Sequence, residues 1–318
     1  MHHRDQVVAP LQLKQRFRPF AVTQPSTWLK PTWQAASSIL LPQPRTEPPL
    51  GRIGALEVRL AASAKDIKRA QKLRYKVFYR DGRAIADAAT MLARRDKDAF
   101  DKVCDHLLVI DHAAIHPVKS RLRRKPPVVG TYRLLSQEQA AGHGGFYTEN
   151  EFDIGRLVER HKDLRFLELG RSCVLPKYRN KRTVELLWHG VWSYVRQNNF
   201  DVMIGCASLE GTDPDRLALP LSFLHHFAGA PESWRAAALP HRRVDMNRMA
   251  KDAIDPKTAL RELPPLIKGY LRLGAFVGDG AVIDHQFGTT DILIILPVSA
   301  ISSRYIEHFG ADATRHAA

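Results

Sequence analysis

A chain of 318 residues, 44% hydrophobic and 25% charged with 20 prolines, is globular and long enough to bury a full core as one domain or two. Its 48 Lys and Arg against 33 Asp and Glu leave a formal charge of +15, so acidic partners are expected: nucleic acid, an anionic membrane surface or an acidic carrier protein. No apolar run approaches the ~20 residues of a spanning helix, and the N-terminus lacks the apolar core of a secretory signal, which predicts a cytoplasmic protein with room for peripheral contact at the inner membrane.

Three cysteines, Cys104, Cys173 and Cys206, are far apart and flanked by apolar residues, a pattern of core thiols in a reducing compartment and not of a zinc site. Residues 1–53 are rich in Pro, Gln, Ser and basic residues and read as a flexible extension. Interleaved Trp28 and Trp33 with Lys and Arg give a second reading, contact with an anionic lipid interface. An ordered domain is expected over 54–310, with a short tail over 311–318.

The first strand is expected near Gly54, where Leu56, Val58 and Leu60 alternate. Ser63 then caps a helix over 64–78, with Ile67, Ala70, Leu73 and Val77 on one face. Arg74, near the helix end, reads as a solvated cation favoured by the helix dipole. Residues 79–102 read as a mobile charged loop with a helical piece over 84–95. Strands follow at 104–110 and 128–135, joined across a basic loop that includes Lys119, Arg121, Arg123, Arg124 and Lys125, which suggests an antiparallel meander. After glycines at 142–145, residues 149–163 are partly helical.

Residues 165–175 form an apolar strand that carries a buried Glu168 and Arg171, closed by Pro176. A cationic turn leads into a helix over 183–196, with Thr183 as the expected cap and Val184, Leu187, Val191 and Tyr194 at helical spacing. A further apolar strand over 200–209 lies parallel to the first if the crossover is right-handed. The rest reads as a helix from 220, a Pro264-Pro265 break, a helix over 267–273 and a strand pair at 281–284 and 291–296. There is no internal repeat, G-x-G-x-x-G or Walker loop, which removes most support for nucleotide-driven chemistry.

This order of elements, with Arg74-x-x-x-Phe78, Arg133 and Glu168-x-x-Arg171, resembles the Gcn5-related acyltransferases and, within them, acyl-homoserine lactone synthases. The segments 168–174, 205–213 and 264–274 are similar to the ornithine N-alpha-acyltransferases, a resemblance covering about residues 54–310. It implies an α/β (α+β) fold with a mixed, mostly antiparallel sheet flanked by helices and a bulged central strand. It also implies transfer of a 3-hydroxyacyl chain from acyl carrier protein to the α-amine of L-ornithine, giving lyso-ornithine lipid. The expected donor is 3-hydroxyacyl-phosphopantetheine on that carrier, with no permanently bound cofactor and no metal.

Glu168 is the candidate base and Arg171 its partner in the site; they share one face only if the strand is bulged between them, which Gly170 permits. A structural Glu–Arg ion pair is the competing reading. Arg74, Arg133 and Arg171 are candidates for the substrate carboxylate and Asp105 for its side-chain ammonium, with Phe78, Ser172 and Cys206 as further contacts carried by the resemblance. The turn Arg179, Asn180, Lys181, Arg182, Thr183 lacks the glycines that let a backbone approach a coenzyme A pyrophosphate, and its cations suit a phosphopantetheine phosphate on an acidic carrier. An acyl-homoserine lactone synthase is the nearest alternative. A non-catalytic basic module is another, although the cations are spread over loops with no nucleic-acid-binding signature.

Overall fold

The computed structural model describes residues 48–114 and 125–302. The aromatic residues of the N-terminal extension, most of the basic loop after 114 and the tail lie outside the described residues.

Strands β1 (Gly51–Ile53) and β2 (Leu56–Leu60) form a hairpin that the alternating pattern had shown only in its second half. Helix α1 (Ala64–Tyr75) follows; Ser63 caps it by accepting the Asp66 N–H. It ends three residues earlier than expected, in a π-helical turn over Lys76–Arg80. Helix α2 is only Ala88–Ala93, and the acidic segment behind it folds inward. Strands β3 (Asp105–Asp111) and β4 (Val128–Ser136) are antiparallel. Helices α3 (Gln137–Ala141) and α4 (Ile154–Arg160) flank a short 3₁₀ turn over Tyr147–Asn150. Then come β5 (Phe166–Val174), α5 (Lys181–Gln197) and β6 (Val202–Glu210).

The last third supplies α6 (Ala218–Ala228), β7 (Arg243–Val244), α7 (Pro256–Glu262), α8 (Pro265–Arg272), β8 (Phe276–Asp284) and β9 (Thr289–Pro297). One mixed sheet results, in the order β1-β2-β3-β4-β5-β6-β9-β8-β7, with β5–β6 its parallel neighbours and the other pairs antiparallel. The strand–helix–strand unit was expected, whereas the insertion of β9 beside β6 was not.

The sheet is covered on both faces. Leu107, Leu134, Leu169 and Met203 join α5, α6 and α8 residues in one core; Leu135, Phe166, Ile204 and Leu293 join α3, α4 and Phe152 in the other. Helix α5 is capped by Asn180, whose side-chain oxygen accepts the Thr183 N–H at 3.2 Å, so the cap lies three residues before the expected Thr183. Thr183 itself is fully buried.

Candidate active site

Strands β5 and β6 pair over three positions, Phe166 with Val202, Leu167 with Met203 and Glu168 with Ile204, and then part. Beyond that point β6 continues alongside β9 and β5 stays with β4 alone. Gly205 stands at the parting: a Cβ there would fall 2.3 Å from the Leu169 carbonyl oxygen, so no larger residue fits. On β5 the register against β4 slips between Gly170 and Cys173, and Arg171 has φ +50°. The bulge thus sits at Arg171 and Ser172, one step beyond Gly170, which pairs regularly with Arg133. A left-handed non-glycine residue costs about 1–2 kcal/mol, held here by the contacts of its side chain.

The bulge turns Arg171 to the side of Glu168. Both then meet the turn that follows the glycine cluster. Glu168 Oε1 accepts the Thr148 hydroxyl at 3.0 Å, while the Arg171 guanidinium lies 4.7 Å from the Tyr147 ring centre and 4.9 Å from that of Phe287. No ion pair joins Glu168 to Arg171. Glu168 is 4% exposed and its second oxygen, Oε2, has no hydrogen-bond partner. Burial raises its carboxyl above the usual range, and the Thr148 hydroxyl, Arg133 and the backbone N–H groups of Thr148 and Tyr147 only partly oppose this.

Arg74 is not solvated: it is fully buried, with Nε 2.7 Å from Asp96 Oδ2 and Nη2 2.8 Å from Asp101. Arg133 Nη1 lies 2.6 Å from both Asp98 oxygens, and Arg171 reaches Asp96 and Asp98 at 3.4 Å. Three arginines from α1, β4 and β5 are therefore matched by three aspartates from the one loop read as mobile. The aspartates are ordered by their own hydrogen bonds, Asp98 and Asp101 capping each other across a 3₁₀ turn. Side-chain exposure is 1% for Arg74, 4% for Arg133 and 14% for Arg171, so Arg171 is the member of the set with most access to a ligand. Burial would lower its pKa, yet Tyr147, Asp96 and Asp98 outweigh this and keep it charged.

Phe78, on the π-helical turn, packs edge-on against Phe287 at 5.6 Å and so backs the Arg171 box. Cys206, on the Glu168 face, donates from Sγ to Glu151 Oε2 at 3.2 Å and lies 3.7 Å from Thr148 Oγ1. Its pKa is raised well above the ordinary value by burial and then by Glu151, Asp291 and Glu168, so it stays a thiol. Ser172 lies beside Tyr132, on the other side of the sheet. Asp105 is also there: it is opposite Leu134, one position from the Leu135–Glu168 pair, and accepts the Tyr194 hydroxyl at 2.6 Å. The structure does not bring Asp105 and Glu168 together.

Arg179, Lys181 and Arg182 are exposed at the start of α5, where Arg179 Nε donates to the Val174 carbonyl and Lys181 lies 3.6 Å from Glu185. A cavity of about 290 Å³ between α5 and α8, lined by Val184, Trp188, Trp192 and Leu273 with Lys181, lies on the face opposite Glu168 and is not part of its surroundings.

A carboxylate group absent from the sequence reading adjoins the site. Glu151, Asp284 and Asp291 place one oxygen each within 4.8 Å of the others, on the Glu168 face. Burial and then Asp291 push Glu151 up to about 7, and burial raises Asp291 as well. Asp284 and Asp291 belong to β8 and β9, the strand pair expected from the sequence, and Glu151 reaches them from the segment after the glycine cluster.

Residues 73–189 match the family described as an acetyltransferase (GNAT) domain. The chain is 54% identical over 266 residues to the L-ornithine N(alpha)-acyltransferase of Brucella abortus, covering 84% of this chain and 92% of that one. It is 52% identical to that of Agrobacterium fabrum over 83% of this chain and 88% of the other. The protein of the same name from Rhodobacter capsulatus is 40% identical over 80% of this chain and 94% of its own length.

Proposed function

The chain belongs to the L-ornithine N(alpha)-acyltransferase family and is an N-acyltransferase, and from that premise we propose that it moves a 3-hydroxyacyl chain from acyl carrier protein to the α-amine of L-ornithine, giving lyso-ornithine lipid. An α-ammonium cannot attack a thioester, so it must first lose a proton. Glu168 Oε2, buried and without a partner where β5 and β6 part, is the group that takes it, and this observation carries the reading. The nitrogen then adds to the thioester carbon and gives up its second proton as the C–N bond forms and the C–S bond breaks; of the two protons lost, one passes to the leaving phosphopantetheine thiolate and the other to solvent. The β5–β6 pairing ends at Glu168, and the β5 N–H groups on the β6 side beyond it are the donors we assign to a thioester oxygen.

Arg171 binds the amino-acid carboxylate, its charge held by Asp96 and Asp98 and its plane fixed between Tyr147 and Phe287. The exposed Arg179, Lys181 and Arg182 and the N-terminus of α5 suit the phosphate of a carrier-bound pantetheine. The test is purified protein with L-ornithine and either 3-hydroxyacyl carrier protein or the matching acyl coenzyme A, read by mass spectrometry. Product from the carrier with the δ-amine unmodified supports the reading; transfer from coenzyme A alone, or to the δ-amine, contradicts it.

A further inference from the structure

We infer that Glu151, Asp284 and Asp291 form the seat for the side-chain ammonium of the acceptor, so that the site selects a diamino acid over a neutral amino acid of the same length. The inference rests on the reading that the acceptor is ornithine. It makes this cluster the source of that choice.

Three carboxylates this close repel one another unless a cation or protons lie among them. The protein supplies little compensation. Arg242 Nη2 is 3.5 Å from Glu151 Oε1, the other Glu151 oxygen takes the Cys206 thiol, and one Asp284 oxygen takes the Phe287 N–H. Asp291 is 7% exposed; the Ser208 and Thr289 hydroxyls interact with its carboxyl, yet its Oδ1 is left without a hydrogen-bond partner. A buried anion left this way costs free energy that a bound cation would recover.

An ammonium fits by number and by spacing. It has three donors for three carboxylates. With N–H···O distances of about 2.8 Å in a tetrahedral arrangement, its acceptors stand about 4.6 Å apart. The three oxygens all lie within 4.8 Å of one another, close enough for one ammonium to reach all three.

The position relative to Glu168 also fits one molecule. Glu168 Oε1 to Thr148 Oγ1 is 3.0 Å, Thr148 Oγ1 to Cys206 Sγ is 3.7 Å, and Cys206 Sγ to Glu151 Oε2 is 3.2 Å. The two carboxylates are therefore less than about 10 Å apart, even if those steps lie in line. An extended 2,5-diamino acid separates its nitrogens by about 6 Å, and a hydrogen bond of about 2.8 Å at each end lets it span the two groups. Asp105, named from the sequence for this ammonium, faces the other side of the sheet.

The experiment measures kcat/KM for L-ornithine and for L-norvaline, which lacks only the terminal amine, with wild type, Asp291→Asn and Asp284→Asn. In each variant the ornithine-to-norvaline ratio should fall by at least about tenfold, mainly through the ornithine KM. A ratio within about twofold of wild type in both variants overturns the inference while leaving ornithine as acceptor. A wild type that does not prefer ornithine overturns both. Should the variants not fold, wild type alone decides: δ-N-acetylornithine, longer but uncharged at that nitrogen, should bind at least about tenfold more weakly than ornithine, as should norvaline, and binding of norvaline equal to ornithine contradicts the seat. Loss of turnover on chelation, restored by magnesium or calcium alone, would assign the cluster to a metal ion and also overturn the inference.

Discussion

Glu168 and Arg171, three residues apart on one strand, make no ion pair yet contact consecutive residues of one turn: Glu168 accepts the Thr148 hydroxyl at 3.0 Å, and Arg171 lies over the Tyr147 ring at 4.7 Å. A regular strand would send them to opposite faces, and the bulge at Arg171 and Ser172 is what prevents this. The turn between them spaces the proposed proton acceptor from the proposed carboxylate-binding cation. Each can then act without neutralising the other.

The three arginines should separate by what their loss changes. Arg74→Ala removes the buried partner of Asp96 and Asp101 and is expected to destabilise the fold by about 3–5 kcal/mol in chemical denaturation. Arg171→Lys keeps the charge but loses the planar fork and its stacking, so it should raise the ornithine KM by at least about tenfold with a much smaller loss of stability. Equal stability losses in the two variants would place Arg171 in the structural network alone.

Gly205→Ala puts a methyl group 2.3 Å from the Leu169 carbonyl at the parting of β5 and β6. It should cost about 1–3 kcal/mol, and it should depress activity further than stability because the parting sets the Glu168 surroundings. A variant with wild-type melting temperature and turnover would show that the strands part for another reason.

Much of this was legible in the chain. Apolar runs marked β5 and β6 and helical spacing marked α5 between them, so the central unit and the need for a bulge could be stated beforehand. The loop after α1 could not be read: its charge density resembles a solvated surface, and nothing local says that Asp96 and Asp101 will be buried against arginines of α1 and β4. Glu151, Asp284 and Asp291 were missed for a related reason. The strand pair carrying Asp284 and Asp291 was expected, but Glu151 joins them only because β9 lies beside β6, a long-range pairing that leaves no trace in periodicity.

Charge reversal at Arg179, Lys181 and Arg182 tests the donor. Lys181 is 84% exposed and the substitutions leave the core intact. The KM for acyl carrier protein should rise strongly at low salt and less at high salt, with the ornithine KM little changed. A change in both constants together would remove the turn from carrier docking.

Stability should respond to pH through Glu151. Its native carboxyl is pushed up to about 7 by burial and then Asp291, with Asp284 adding to the shift and Cys206 and Arg242 opposing it. The native state therefore holds a proton that the unfolded chain has released above the ordinary glutamate range. Unfolding free energy from this group falls as pH rises from about 4.5 to 7. Relative to Glu151→Gln, the wild type should lose melting temperature between about pH 4.5 and 7; parallel profiles would mean that Glu151 titrates normally.

Glu168→Gln tests the proposed chemistry most directly. Glutamine preserves the oxygen that accepts the Thr148 hydroxyl, so the fold and the ornithine KM should change little. Turnover should fall by about 10²–10⁴ with 3-hydroxyacyl carrier protein as donor, and the acid limb of the pH–rate profile should disappear with it. Turnover within a few-fold of wild type, on a profile of unchanged shape, would contradict the assignment of Glu168 as the base.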